Sequence, residues 1–240
     1  MALAQGETMS MIVNVLKNVL EKRRIIGRYS IQELLYRIAL EQELQHFENR
    51  DKGPIVSVSV TDLVACSQRY HFVRRYPEIK IQMNYNPILV LGRILHVGLE
   101  TIIRSQWHDV ETEKPIEKII SLDDGRVIRV AGVVDAYVPG ESLVIEFKTS
   151  RADHELPLQH HVLQLKIYMN MLQAEHGLLF YINPDRISEY AIDNSIDDWQ
   201  LQALVNETLN NQRHPRYDWE CNYCPYSIMC PYKKLNKYKR

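Results

Sequence analysis

Gly132-Val133-Val134-Asp135-Ala136-Tyr137-Val138-Pro139-Gly140-Glu141-Ser142-Leu143-Val144-Ile145-Glu146-Phe147-Lys148 reads as a β-hairpin. Two apolar runs rich in Val flank Pro139-Gly140-Glu141, and a two-residue Gly140-Glu141 loop with glycine first suits a type II′ turn. That loop sets Asp135 directly opposite Glu146, and Lys148 lies two residues on, so it shares the face of Glu146. Two carboxylates facing each other among Val and Ile repel unless a cation lies between them. A hard divalent cation answers that demand, and Lys148 adds a further positive charge. The set suits metal-assisted phosphodiester hydrolysis: the metal lowers the pKa of a bound water, and the ammonium orients the nucleophile or stabilises developing charge. An ordinary solvated cross-strand ion pair is the plainer alternative, and the apolar neighbours argue against it.

Around the hairpin, Asp123-Asp124-Gly125 marks a turn between strands at 116–122 and 126–138. A helix is expected at 158–174, strands at 178–182 and 187–192, and a helix at 195–211. Upstream, a strand at 55–60 leads into a helix that starts at Thr61-Asp62 and carries Cys66, and Pro87 precedes a helix at 88–107 containing His96. Strands grouped centrally and flanked by helices read as an α/β or α+β sandwich. Residues 1–53 read as a helical N-terminal appendage. Met11/Ile12, Val15/Leu16 and Val19/Leu20 recur at helical spacing, Ser30-Ile31-Gln32-Glu33 opens a second helix with Leu34, Leu35 and Ile38 on its apolar side, and Asp51-Lys52-Gly53-Pro54 is a break. Residues 54–212 form the core and 213–240 the tail.

The composition, 45% hydrophobic and 25% charged over 240 residues, excludes a disordered chain, a collagen-like fibre and a disulfide-dense miniprotein. A net charge of −1 predicts no polyanionic partner by itself, although a local basic stripe still can. No stretch is apolar for long enough to span a membrane, so a soluble cytoplasmic protein without a membrane partner is expected. Cys221, Cys224 and Cys230 follow a C-x2-C-x5-C spacing that suits one metal centre, either zinc or iron–sulfur, with Cys66 far upstream. The tail sets Arg213, Arg216, Lys233, Lys234, Lys237, Lys239 and Arg240 against Asp218 and Glu220. Tyr217, Trp219, Tyr223, Tyr226, Tyr232 and Tyr238 are interleaved with them, a mixture that suits single-stranded nucleic acid. His160 and His161 are adjacent on a helix and are expected to point apart, too far to share a metal.

Asp135 with Glu146-Phe147-Lys148 resembles the D…(D/E)-x-K core of the restriction-endonuclease-like, or PD-(D/E)xK, nucleases. Gly92-Arg93-Ile94-Leu95-His96 and Gln164-Leu165-Lys166-Ile167-Tyr168 are similar to the upstream and downstream motifs of its RecB-like branch. With the cysteine pattern, the chain resembles the CRISPR-associated RecB-like exonuclease family, whose members carry a four-cysteine iron–sulfur cluster. That resemblance implies an α/β core with a central mixed sheet. It also implies Mg²⁺ or Mn²⁺ held by His96, Asp135, Glu146 and the carbonyl of Phe147, with Lys148 as base or nucleophile-orienting residue. Gln164 and Tyr168 would position substrate, and Cys66, Cys221, Cys224 and Cys230 would hold a 4Fe-4S cluster. It further implies exonuclease action on single-stranded or splayed DNA ends during spacer acquisition, the CRISPR integrase proteins as partners, and a homo-oligomer. A free-standing or viral RecB-like repair nuclease, a non-catalytic DNA-binding assembly subunit, and zinc in place of iron–sulfur remain the alternatives.

Overall fold

The computed structural model describes residues 30–50, 55–83, 86–150 and 155–234, so the helix expected near 11–20 and the break at 51–54 lie outside it. In chain order the helices are α1 (Ile31–Arg50), α2 (Val60–Leu63), α3 (Ser67–Arg75), α4 (Pro77–Gln82), α5 (Pro87–Gln106), α6 (Gln159–Leu172), α7 (Asp198–Leu209) and α8 (Glu220–Tyr223). The strands are β1 (Val56–Ser59), β2 (Glu111–Ser121), β3 (Val127–Val138), β4 (Leu143–Thr149), β5 (His176–Ile182) and β6 (Ile187–Ile192). They form one mixed sheet in which β1 and β3, and β4 and β5, run parallel while the other neighbours run antiparallel.

The pairing of β3 governs everything near the site. β2 occupies one edge of β3 along most of its length, from Val127 to Tyr137. A strand has only two edges, so β1 and β4 must share the other. β1 takes Ile128 to Ala131 and β4 takes Ala136 to Val138. Residues 132–135 lie in the gap between them, and Asp135 stands at its end. The sheet therefore splits where the chemistry was expected.

Hydrophobic burial fixes the layers. Val58, Ile128, Val130 and Val144 pack with Leu165 and Met169 of α6 and with Leu201 and Val205 of α7. Ala136, Val138, Ile145 and Phe147 pack with Leu99 and Ile103 of α5. Val144 and Ile145 thus serve different cores, as alternation along a central strand demands. Glu146 shares the side of Val144, and that side is covered by α6. A third cluster joins Leu40 and Leu44 of α1 to Val73 and Tyr226.

Several local expectations change. The β3–β4 register is the expected one, with Ala136 opposite Ile145 and Val138 opposite Leu143, but the connection is not a type II′ turn. Pro139, with its fixed φ, starts a 3₁₀ turn over Pro139–Glu141, and Ser142, not Gly140, takes the left-handed conformation at φ 48°. The helix after β1 starts one residue earlier than expected. Ser59 caps it through a reciprocal pair with Asp62, its Oγ accepting the Asp62 N–H at 3.1 Å. Cys66 is not inside that helix: it stands at the N-cap position of α3, with no capping hydrogen bond from its side chain. Ser30 Oγ accepts the Glu33 N–H at 3.2 Å, as the start of α1 predicts, yet Leu34 and Ile38 are 45% and 43% exposed. The face of α1 that enters the core is Ala39, Leu40 and Leu44 instead.

Candidate active site

β3 and β4 bring Asp135 and Glu146 to the split. The backbone ladder stops at Ala136 and Ile145, and the next amide, that of Phe147, donates to Asp135 Oδ2 at 2.7 Å rather than to the opposite backbone. Asp135 Oδ1 lies 3.3 Å from His96 Nδ1, presented by α5. Burial alone would lower the pKa of His96, but the hydrogen bond to Asp135 and that carboxylate's charge outweigh it, and the net shift is upward. The His96 ring also meets Phe147 edge-on, centroids 5.8 Å apart.

Glu146 is 1% exposed, and Lys148 Nζ donates to its Oε2 at 2.7 Å. Its other oxygen, Oε1, is buried with no hydrogen-bond partner. Burial pushes the Glu146 carboxyl upward and neighbouring Asp135 adds to this, while Lys148 pulls the other way. Tyr168 of α6 is buried against the pair, and its hydroxyl accepts from Gln164 Nε2 at 3.3 Å. Burial, then the charge of Glu146, holds the phenol far above its ordinary pKa, so it stays protonated. His96, Asp135, Glu146, Lys148, Gln164 and Tyr168 all line one cavity of about 810 Å³, together with Ser57 and Ser59 of β1. Hairpin spacing named Asp135, Glu146 and Lys148, the family resemblance named His96, Gln164 and Tyr168, and all six line this one cavity.

Gly132 opens the expected hairpin, and only the fold shows why glycine stands there. A Cβ at that position would lie 2.5 Å from Tyr168 Cε1 and 3.1 Å from Val60 Cγ2. The phenol ring occupies that space in the gap of the sheet. Gly132→Ala is expected to destabilise the fold by about 1–3 kcal/mol through overpacking and to displace Tyr168. Chemical denaturation together with the Tyr168 ring shifts checks this, and an unchanged midpoint would refute the contact.

Two acids escaped the sequence reading. Glu100 is 5% exposed, pairs with Arg104 at 3.3 Å, and has its pKa raised by burial and then by Glu113 and Asp135. Glu113 sits at φ 47°, between Thr112 and Lys114, which pair with Ala136 and Val134; the register therefore puts it beside Asp135. Both line a second cavity with His96, Asp135 and Lys148. The available signal was that Glu100 lies one helical turn beyond His96.

Donor chemistry suits a hard divalent ion here, since carboxylate oxygens and an imidazole converge and one buried oxygen lacks a partner. Among the described residues no three His, Cys, Asp or Glu side chains are gathered as a metal cage. The carboxylates instead take the Lys148 ammonium and the Phe147 amide.

None of the four cysteines forms a disulfide, and all four line one cavity of about 430 Å³. Burial pushes the Cys66 thiol up to about 11, with the charges of Glu220 and Cys224 adding to it. The loop between α7 and α8 is fixed by Glu220, which sequence reasoning had counted only as a charge. Its Oε1 accepts the Cys66 N–H at 2.8 Å, and its Oε2 accepts the amides of Arg216 and Tyr217 at 2.8 and 2.9 Å. Ser67 and Arg213 exchange two further hydrogen bonds, from Ser67 N–H to the Arg213 carbonyl at 2.8 Å and from Arg213 N–H to Ser67 Oγ at 3.0 Å.

The tail differs from the open basic stripe its composition predicts. Arg216 is an internal group, 3.0 Å from Glu207, and Lys234 lies 2.7 Å from Asp218. Tyr226 is fully buried and donates to the Tyr76 carbonyl at 3.2 Å, so it belongs to the core rather than to a nucleic-acid face. His160 and His161 do not point apart. In the first turn of α6 their rings meet at 4.0 Å, and His161 Nδ1 lies 2.7 Å from the Tyr181 hydroxyl. No helix among the described residues is long and apolar enough to cross a membrane.

Residues 103–231 match the PD-(D/E)XK nuclease superfamily. The chain is 40% identical over 206 residues to the CRISPR-associated exonuclease Cas4 of Saccharolobus solfataricus, covering 85% of this chain and 98% of that protein. Its fold is similar to the crystal structure of SSO0001, with a TM-score of 0.80 at 39% identity, over 87% of this chain and all of the other. The split sheet, the acid pair at its gap and these similarities agree, and the chain belongs to the PD-(D/E)XK nuclease superfamily and, within it, to the family of the CRISPR-associated exonuclease Cas4.

Proposed function

We propose that the protein is a divalent-metal-dependent exonuclease that hydrolyses DNA at single-stranded or splayed ends, processing them for CRISPR spacer acquisition beside the integrase proteins. The observation that carries this reading is the buried, partnerless Oε1 of Glu146 in the cavity that also holds Asp135, His96 and Lys148. His96, Asp135, Glu146 and the Phe147 carbonyl would hold Mg²⁺ or Mn²⁺, which would supply charge neutralisation at the phosphate and an acidified water. The Lys148 ammonium, which donates to Glu146, would orient the nucleophile or stabilise charge on the phosphate. Gln164 and protonated Tyr168 position the strand as neutral hydrogen-bonding groups. Asp135 holds the His96 ring in place from Oδ1 while its Oδ2 is fixed by the Phe147 amide.

Four thiols around one cavity support a 4Fe-4S cluster on Cys66, Cys221, Cys224 and Cys230. Residues 54–212 then act as the nuclease core, 213–240 as the cluster and basic tail, and 1–53 as a helical addition. We place the protein in the cytoplasm.

The direct test uses anaerobically purified protein on end-labelled single-stranded and duplex DNA. Label released progressively from ends with Mg²⁺ or Mn²⁺, and lost with EDTA, is the expected result. Cleavage that persists in EDTA would overturn the metal assignment, and no cleavage of either DNA would favour the assembly-subunit reading.

A further inference from the structure

We propose that Trp219, seated on Tyr217 and flanked by His160, is a stacking platform for one base of the single-stranded DNA entering the catalytic cavity; the subsite rests on the nuclease reading above.

The geometry points to a base rather than to a core contact. Tyr217 and Trp219 lie nearly parallel, at 13° with centroids 5.9 Å apart, and His160 closes one side at 4.9 Å and 51°. Trp219 nevertheless stays 37% exposed, and neighbouring Tyr223, 6.4 Å away, is 68% exposed. An indole backed by another ring but open to water is a surface for a third ring, and every base has a π-face to offer. The platform is also rigid. Glu220 holds the amides of Arg216 and Tyr217 and so fixes the loop that carries Trp219 before any ligand arrives.

Position and charge name the ligand. Trp219 and His160, with His161 and Gln164, lie on the wall of the cavity that the four cysteines also line. Gln164 also lines the cavity of Asp135, Glu146 and Lys148, and His161 lines the one shared by Asp135 and Lys148. The start of α6 is therefore a common wall, and a strand whose phosphate lies at Lys148 passes beside Trp219. Arg69 lines the platform's cavity, and its charge, like that of Lys148, acts on His160. Burial first, then those two cations, lower the His160 pKa to about 4. The imidazole thus stays neutral near pH 7 and offers a ring face without its own charge. Cations beside neutral aromatic faces suit a phosphate backbone with stackable bases.

The test exploits the tryptophan itself. Trp107→Phe and Trp199→Phe, at sites 45% and 65% exposed, leave Trp219 as the sole indole. Titration with oligothymidylate, without added divalent metal, is expected to quench its fluorescence. An abasic oligonucleotide of equal length should not quench, and should bind about tenfold more weakly, within the range stacking of one base supplies. In the otherwise native chain, Trp219→Leu should weaken oligothymidylate binding by about tenfold, and Trp219→Tyr should retain most of the affinity. Equal binding of abasic and intact strands would overturn the platform. So would unchanged affinity in folded Trp219→Leu; if that variant fails to fold, the abasic comparison on the parent decides. Base-dependent quenching in a protein that cleaves no DNA would sink the nuclease reading and leave the subsite standing. Metal-dependent cleavage without base dependence would do the reverse.

Discussion

Lys148→Ala is expected to slow metal-dependent DNA cleavage by about a thousandfold, the scale of removing one charge-stabilising donor from an active site, with DNA affinity nearly unchanged. The side chain is 13% exposed and donates to Glu146 at 2.7 Å, so it is placed for chemistry rather than for a surface contact. Removing it also leaves Glu146 buried without a cation, which is expected to cost up to about 3 kcal/mol of stability. A double variant separates the two effects. Glu146→Gln in the Lys148→Ala background removes the stranded charge and should recover stability while leaving cleavage lost. Single-turnover cleavage beside denaturant melts reads both quantities. Undiminished cleavage by Lys148→Ala would show that the site is wrongly assigned.

Cys230→Ser should bleach the protein and lower its stability by about 4 kcal/mol, the worth of cross-linking a loop of that order of length. Anaerobic wild-type protein is expected to be brown, with broad absorption near about 400 nm, and the variant colourless. The loop closed between Cys66 and the tail contains every residue proposed to act on DNA. Yet Glu220 and the Ser67–Arg213 pair bind the same two segments without any thiol. The folded fraction of the variant should therefore keep its tail docked and cleave at close to the parental rate. Iron analysis, thermal melts and cleavage normalised to folded protein check this. Parental stability with a lost cleavage rate would place the cysteines in the chemistry rather than in the scaffold, and zinc without iron would replace the cluster.

The particular elements show which parts of this were written locally. The β3–β4 register follows from two alternating runs and a short connection, and the 3₁₀ turn that replaced the expected one did not shift it. The register depends on which strand face is buried, and a slip by one residue would expose every buried side chain. Likewise the four-residue spacing from Gln164 to Tyr168 puts both on one side of α6 in any helix. The apolar side of α1 was harder to read. Apolar residues lie on more than one face, and only contact with Val73 and Tyr226 chose Leu40 and Leu44.

By itself, then, the sequence determined most of the strands and the long helices, the register that brings Asp135, Glu146 and Lys148 to one place, and the spacing of the cysteine triplet. These rest on backbone periodicity and turn chemistry, which act over a few residues. Tertiary structure alone decided that β1 and β4 divide one edge of β3, and that Tyr168 fills the space above Gly132. It also decided that Glu100 and Glu113 join Asp135, that Glu220 binds the amide of Cys66, and that Tyr226 is core while Trp219 is surface. Each of those is a contact between segments far apart in the chain. Its partner is chosen by how the layers pack, a choice that no local pattern of residue types encodes.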